Sequence, residues 1–140
     1  MKKLIGFDKE FSLILNKLLK SNLSNSILIT GSKGIGKSFF LTFLIEEYIK
    51  KKNIKDYMRH LSLLNNNSHP NIRYITKEID EKTNQNKKFI NIDQIRNLNH
   101  FLLETSIIEN MEKFIIIDSA DDMNLNASNA LLKILEEPKL

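Results

Sequence analysis

Cysteine is missing from the sequence, so disulfides and thiolate metal sites are excluded, and nothing argues for export. Long apolar runs are missing too. The opening Met1-Lys2-Lys3-Leu4-Ile5-Gly6-Phe7 briefly resembles a signal peptide, but its apolar run stops at Asp8-Lys9-Glu10, too short for one. No stretch approaches a transmembrane span, and the expectation is a cytoplasmic chain without membrane contact. Charge imbalance is slight, at +4. It comes from lysine far more than arginine, and it permits phosphate-bearing partners without demanding them. Lysine, asparagine and isoleucine are all used heavily, which reads as compositional bias, so isolated Lys and Asn residues carry no functional weight. What remains is 140 residues at 41% hydrophobic, enough for one globular domain with a real core. Proline occurs twice and glycine four times, and three of the four glycines fall between positions 31 and 36.

Those glycines sit in Ser26–Phe40, SILITGSKGIGKSFF. Gly31-Ser32-Lys33-Gly34-Ile35-Gly36-Lys37-Ser38 matches G-x-x-x-x-G-K-[ST], the phosphate-binding loop. The apolar Ile27–Ile29 reads as a short buried strand delivering the chain to the loop. Loop N–H groups then wrap phosphate oxygens, and glycines allow the dihedrals and the close approach. Lys37 reaches the outer phosphates, while Ser38 ligates magnesium and opens a helix whose positive end faces the anion. Phe39 follows directly at the helix start and is counted with the expected nucleotide-binding residues. The expected ligand is a nucleotide phosphate.

Along the chain, Phe11, Ile14, Leu15, Leu18 and Leu19 form a helical stripe over Glu10–Lys20, and polar Ser21–Asn25 ends it. The helix from Lys37 to about Lys51 is apolar on most sides and is expected to be largely buried. Lys50, Lys51 and Lys52 close it, where cations suit the helix dipole. A solvated helix end is favoured there over a DNA-contacting patch. Ile54, Tyr57, Met58, Leu61 and Leu64 repeat at helical spacing. His69-Pro70 enters a second strand, Ile72–Ile75, and a turn role for His69 is favoured over metal ligation because no second ligand type is near. Lys77–Lys88 is polar and reads as an exposed loop or hairpin tip. Asn91 caps a helix, with Gln94 reaching back, and Ile92, Ile95, Leu98, Phe101 and Leu102 line one side of it.

Lys113-Phe114-Ile115-Ile116-Ile117-Asp118 is the second diagnostic stretch. Four apolar residues predict a fully buried strand with a carboxylate at its C-terminal tip, the edge where open α/β sheets bind ligands. Asp118 is therefore the expected second magnesium partner. Asn124 then caps a helix with Ala127, Ala130, Leu131, Ile134 and Leu135 inside, and Pro138 stops it.

Taken together, GSKGIGKS, the His-Pro-Asn strand, INIDQIR, FIIIDSADDMN and NASNALLKILEEP resemble the bacterial clamp-loader subunits of DNA polymerase III, within the AAA+ ATPases, and the delta-prime type above all. The resemblance runs from Leu4 to Pro138. It implies an α/β P-loop NTPase core, a three-layer αβα arrangement on a parallel sheet, as one nucleotide-binding domain over residues 1–140. Leu4-Ile5-Gly6-Phe7 matches the box beside the adenine base, which assigns Ile5 to the nucleotide. The implied cofactors are ATP or ADP with magnesium and no zinc. The implied partners are other clamp-loader and DNA polymerase III subunits, DNA being met only indirectly.

Three departures stand out. Working members carry Glu after the strand-end Asp, to polarise the attacking water, and this sequence has Ser119. A serine has no basicity to offer at neutral pH. Asp121 and Asp122 are offset along the turn, which disfavours either as a substitute. The four-cysteine zinc module of many relatives is absent. The sequence also ends at Leu140, before the family's sensor strand, arginine finger, lid and collar. In the family strand order 5-1-4-3-2, the sensor strand separates Ile27–Ile29 from Phe114–Ile117. The expectation is that the two stand about 9–10 Å apart with no ladder between them, and that unfolding is not cooperative without a partner in the gap. Three functions fit: a nucleotide-holding subunit working by contact, a competent magnesium-dependent ATPase, and the remnant of an interrupted gene. The first is favoured. A GTPase is disfavoured, since no N-K-x-D motif occurs.

Overall fold

Three apolar stripes in the first half of the chain become three helices in the computed structural model, which describes residues 6–136. They are α1 (Asp8–Leu19), α2 (Lys37–Lys51) and α3 (Tyr57–Asn65). Asp8 and Glu10 lie in the first turn of α1 and Lys17 in its last, matching the helix dipole. The α1 stripe is buried at Leu15 and Leu18. Phe11 meets the ring of Phe40 edge-on at 5.7 Å and that of Phe43 at 5.2 Å, contacts worth about 0.5–1.5 kcal/mol each beyond burial. Phe40, Leu44, Ile45, Tyr48 and Ile49 form the buried face of α2. Its burial is narrower than expected, because Phe39 is 40% exposed. At its end Lys50 and Lys51 are exposed, Lys50 lying 3.7 Å from Glu47, while Lys52 is half-buried over the Tyr48 ring.

Two expectations fail in this part of the chain. Residues 26–32 join no ladder among the described residues. Ile27 and Leu28 are exposed, so the buried strand predicted at Ile27–Ile29 is not formed. A strand needs a neighbour for its N–H and C=O groups, and an apolar run alone does not supply one. The stripe predicted from Ile54 to Leu64 also breaks. Asp56 is left-handed at φ 58° and starts α3 afresh. Ile54 is buried ahead of that helix, Met58 is exposed, and the buried face carries His60 and Leu64.

The chain divides into two compact units, Met1–Asn66 and Asn67–Leu140, and the second is mixed in structure. Its elements are β1 (Ile72–Ile75), β2 (Ile79–Asp80), β3 (Gln85–Asn86), α4 (Ile92–Leu103), β4 (Phe114–Ile117), a short 3-10 turn (Ala120–Asp122) and α5 (Leu125–Glu136). β1 and β4 pair in parallel, with Ile72 opposite Phe114 and Ile75 opposite Ile117. In the order 5-1-4-3-2 the second and third strands are neighbours, and these two are. Parallel strands require a crossover, here containing the β2–β3 hairpin and α4. The architecture is mixed α/β with a parallel sheet, as an AAA+ core requires.

α4 starts where its capping box places it. Asn91 Oδ1 accepts from the Gln94 N–H, and Gln94 Oε1 accepts from the Asn91 N–H, both at 3.0 Å. Ile75, Ile90, Ile95, Leu98 and Ala127 make the core, with Ile115, Ile117, Ala130, Leu131 and Ile134 packed against it. β4 is not fully buried as predicted. Only Ile116 is, and the other three residues are half-buried, because β1 is the one described strand that pairs with it. On α5, Asn124 Oδ1 accepts from the Ala127 N–H at 2.8 Å, the predicted cap. Leu135 is 40% exposed and so lies outside the core rather than in it. Pro138 falls outside the described residues.

His69 has the turn role expected of it: buried, its Nδ1 accepts from the Asn71 N–H at 3.1 Å. The β2–β3 hairpin is exposed, as predicted. Asp80 Oδ1 accepts from the N–H groups of Lys82 and Thr83 at 2.9 and 3.0 Å. The Thr83 amide, then that of Lys82, holds the Asp80 carboxyl below its ordinary value. A lowered carboxyl pKa contributes stability above the unfolded value and loses it as pH falls through the folded one. Amide-exchange protection at Lys82 and Thr83 is expected to persist below the ordinary aspartate range and to be lost only as pH falls through the lowered folded value. In Asp80→Asn that acid step should be missing; an unchanged step would assign it to another group.

Candidate nucleotide-phosphate site

The loop at residues 31–36 turns on backbone conformations that side chains resist. Gly34 and Gly36 have φ of 85° and 98°, yet a Cβ at either would meet nothing within 4 Å. Conformation, not crowding, demands glycine there. Gly36 is the N-cap of α2, so the helix opens at Lys37. Lys37 Nζ donates to the carbonyls of Gly31 at 2.9 Å and Ser32 at 3.1 Å, which holds the ammonium against the loop in an exposed setting. Ser38 sits at the second helical position, exposed, with its carbonyl accepting from Thr42 Oγ1 at 3.0 Å. Ile35 is exposed and its N–H donates to the Ser32 carbonyl at 3.3 Å. Ser32 and Lys33 are exposed as well.

The donor set fits an anion. A helix N-terminus carries a partial positive charge, the first turn of α2 holds no acidic residue to neutralise it, and one ammonium is fixed beside it. A phosphate is the natural occupant of such a place. Phe39 stacks parallel on Phe43 at 6.1 Å, presenting part of its ring to solvent. Ile5, assigned to the adenine side, lies outside the described residues. Gly6 and Phe7 just after it are both left-handed, at φ 81° and 59°, leading into α1.

Lys37 and Ser38 belong to the first unit and Asp118 to the second. Asp118 follows β4, is exposed, and its N–H donates to the Ile75 carbonyl at 3.0 Å, extending the parallel ladder by one bond. Ser119 is left-handed at φ 63° and is the N-cap residue of the 3-10 turn, its backbone making the bend without a side-chain capping bond. Behind it the turn is fastened twice. The Ile90 N–H donates to the Asp122 carbonyl at 2.8 Å, and the Asn124 N–H donates back to the Ile90 carbonyl at 3.3 Å. The Asp122 carboxylate is engaged by Lys77, Nζ to Oδ1 being 3.0 Å. Gln94 Nε2 donates to the Thr76 carbonyl at 2.8 Å, fixing the chain just before Lys77.

Two residues here escaped the sequence reading. Lys77 stood in a charged stretch with nothing to distinguish it. Asn71 is fully buried and carried one weak signal, its place after His69-Pro70 at the start of a strand. Among the described residues no group of three His, Cys, Asp or Glu side chains could hold a metal by itself. Nor is any described helix long and apolar enough to cross a membrane.

Known proteins resemble this chain over most of its length. The family model described as DNA polymerase III, delta subunit matches residues 8–140. DNA polymerase III subunit delta' of Pseudomonas aeruginosa is 38% identical over 76 residues, covering 54% of this chain and 21% of the relative. The Bacillus subtilis subunit of the same name is 29% identical over 129 residues, 90% of this chain and 36% of the relative. The chain thus spans about a third of the longer match and a fifth of the other. With the match running through the phosphate loop, the β1–β4 pair and α5, the chain belongs to the DNA polymerase III delta subunit family.

Proposed function

We propose that this chain is a delta-prime-like clamp-loader module that holds ATP or ADP with magnesium and serves DNA replication by protein contact, with little or no hydrolysis. The observation that carries the binding half is the tethered Lys37 ammonium at a helix N-terminus free of first-turn acids. In this reading Lys37 contacts the outer phosphates, Ser38 ligates magnesium and Asp118 is the second ligand. The partners are other subunits of DNA polymerase III, as the names of the relatives suggest, and DNA is met through them.

The hydrolysis half rests on Ser119, which stands where a water-polarising carboxylate would be. Retention of Lys37, Ser38 and Asp118 favours a working ATPase instead, but that reading needs a base. Asp122 is already paired with Lys77, which leaves Asp121. Under single turnover, bound ATP is expected to stay intact on the time scale of minutes. Hydrolysis that Ser119→Ala leaves unchanged and Asp121→Asn abolishes would establish the ATPase reading.

A further inference from the structure

Three phenylalanine rings form a column that ends beside the loop. Phe11 of α1 lies 5.2 Å from Phe43 at 31°, and Phe43 lies 6.1 Å from Phe39 with the two rings within 3° of parallel. Phe40 meets Phe11 edge-on and so braces the far end. The column stops at Phe39, which has no further ring neighbour among the described residues and is 40% exposed. Phe39 is the third residue of α2, two after Lys37. Helical side chains lean toward the N-terminus. Phe43 therefore reaches back to Phe39, and Phe39 toward the end of the helix that the loop opens.

A ring held parallel to a second ring and still reached by solvent is prepared for one more flat partner. The chemistry two residues away says which partner that is. The loop and the Lys37 ammonium hold phosphates, and a nucleotide carries its own aromatic ring system a short distance from them. We infer that Phe39 is the base platform of this site: the base of a bound nucleotide stacks on it and extends the Phe11–Phe43–Phe39 column. Stacking reads the area of the base and not its edges, so Phe39 favours purines over pyrimidines and accepts either purine. The inference rests on the phosphate reading of residues 31–38, and every residue it uses lies in the first unit.

The test compares two probes by calorimetry on the full chain with magnesium present: ATP, which carries a base, and inorganic triphosphate, which does not. Phe39→Ala should weaken ATP roughly 5- to 150-fold and leave triphosphate unmoved, whereas Lys37→Ala weakens both. In the unsubstituted chain ATP and GTP should bind more tightly than UTP, and Phe39→Ala should remove the difference. The chain contains no tryptophan, so Phe39→Trp places a single fluorophore at the end of the column. ATP should quench it and triphosphate should not. Unchanged ATP affinity in Phe39→Ala overturns the inference. Equal loss of both probes overturns it too, because Phe39 then only supports the loop. A Phe39→Trp chain that binds ATP without quenching has the same consequence. An unsubstituted chain that binds neither probe overturns the phosphate reading and this inference with it, while one that holds triphosphate but treats ATP and UTP alike overturns the platform alone.

Discussion

Asn71→Asp is expected to disorder the start of β1 and the loop that precedes β4. Asn71 is fully buried, and its amide is used to capacity. Nδ2 donates to the carbonyls of Ile108 at 3.3 Å and Met111 at 3.0 Å. Oδ1 accepts from the N–H groups of Ile107 at 3.2 Å and Ile108 at 3.3 Å. Its backbone carbonyl accepts from the Phe114 N–H at 2.8 Å, at the first rung of the parallel pair. The substitution keeps the size of the side chain and its two accepted bonds, but sets a carboxylate against two carbonyl oxygens. Each buried polar group left without a partner costs about 1–3 kcal/mol. Two carbonyls and a buried charge bring the loss to roughly 3–6 kcal/mol, a large part of a typical 5–15 kcal/mol. Amide exchange at Ile107, Ile108 and Phe114 should approach unfolded rates. Protection within a few-fold of the unsubstituted chain would show that Asn71 is not the anchor described.

Lys37→Ala is expected to abolish nucleotide binding while leaving the fold intact. In the free chain the ammonium bonds only to two exposed carbonyls of its own loop, groups that water satisfies as well. Toward a phosphate it offers charge-assisted bonds. At about 1.5–3 kcal/mol for a hydrogen bond to a charged group, one lost bond weakens binding roughly 10- to 150-fold, and two put it out of reach. Helical circular dichroism should be unchanged in the variant. A variant that unfolds would contradict the exposed setting described for this side chain.

Much of this was legible where chemistry is local. The Asn91–Gln94 box lies within four residues and was placed correctly, and the glycines of residues 31–36 marked a turn that opens a helix at Lys37. The paired strands were legible as apolar runs, but their pairing with each other is read from the structure. Burial was less so, because it depends on neighbours that a run cannot name. Ile27–Ile29 has the composition of a strand but no ladder, and β4 is covered less than its four apolar residues suggest. The phase error at Met58 has a local cause, a left-handed Asp56 that resets the helix. The roles of Asn71 and Lys77 were missed for a different reason: their partners lie far downstream, those of Asn71 36 to 40 residues away in an irregular segment. No spacing rule reaches that distance.

The measurement that bears most directly on the account is a calorimetric titration of magnesium and ATP into the folded chain and into Lys37→Ala. Saturable binding near one nucleotide per chain, lost in the variant, is the predicted result. Equal affinity in the two, or no binding to the folded unsubstituted chain, would contradict the assignment of residues 31–38 as the nucleotide site.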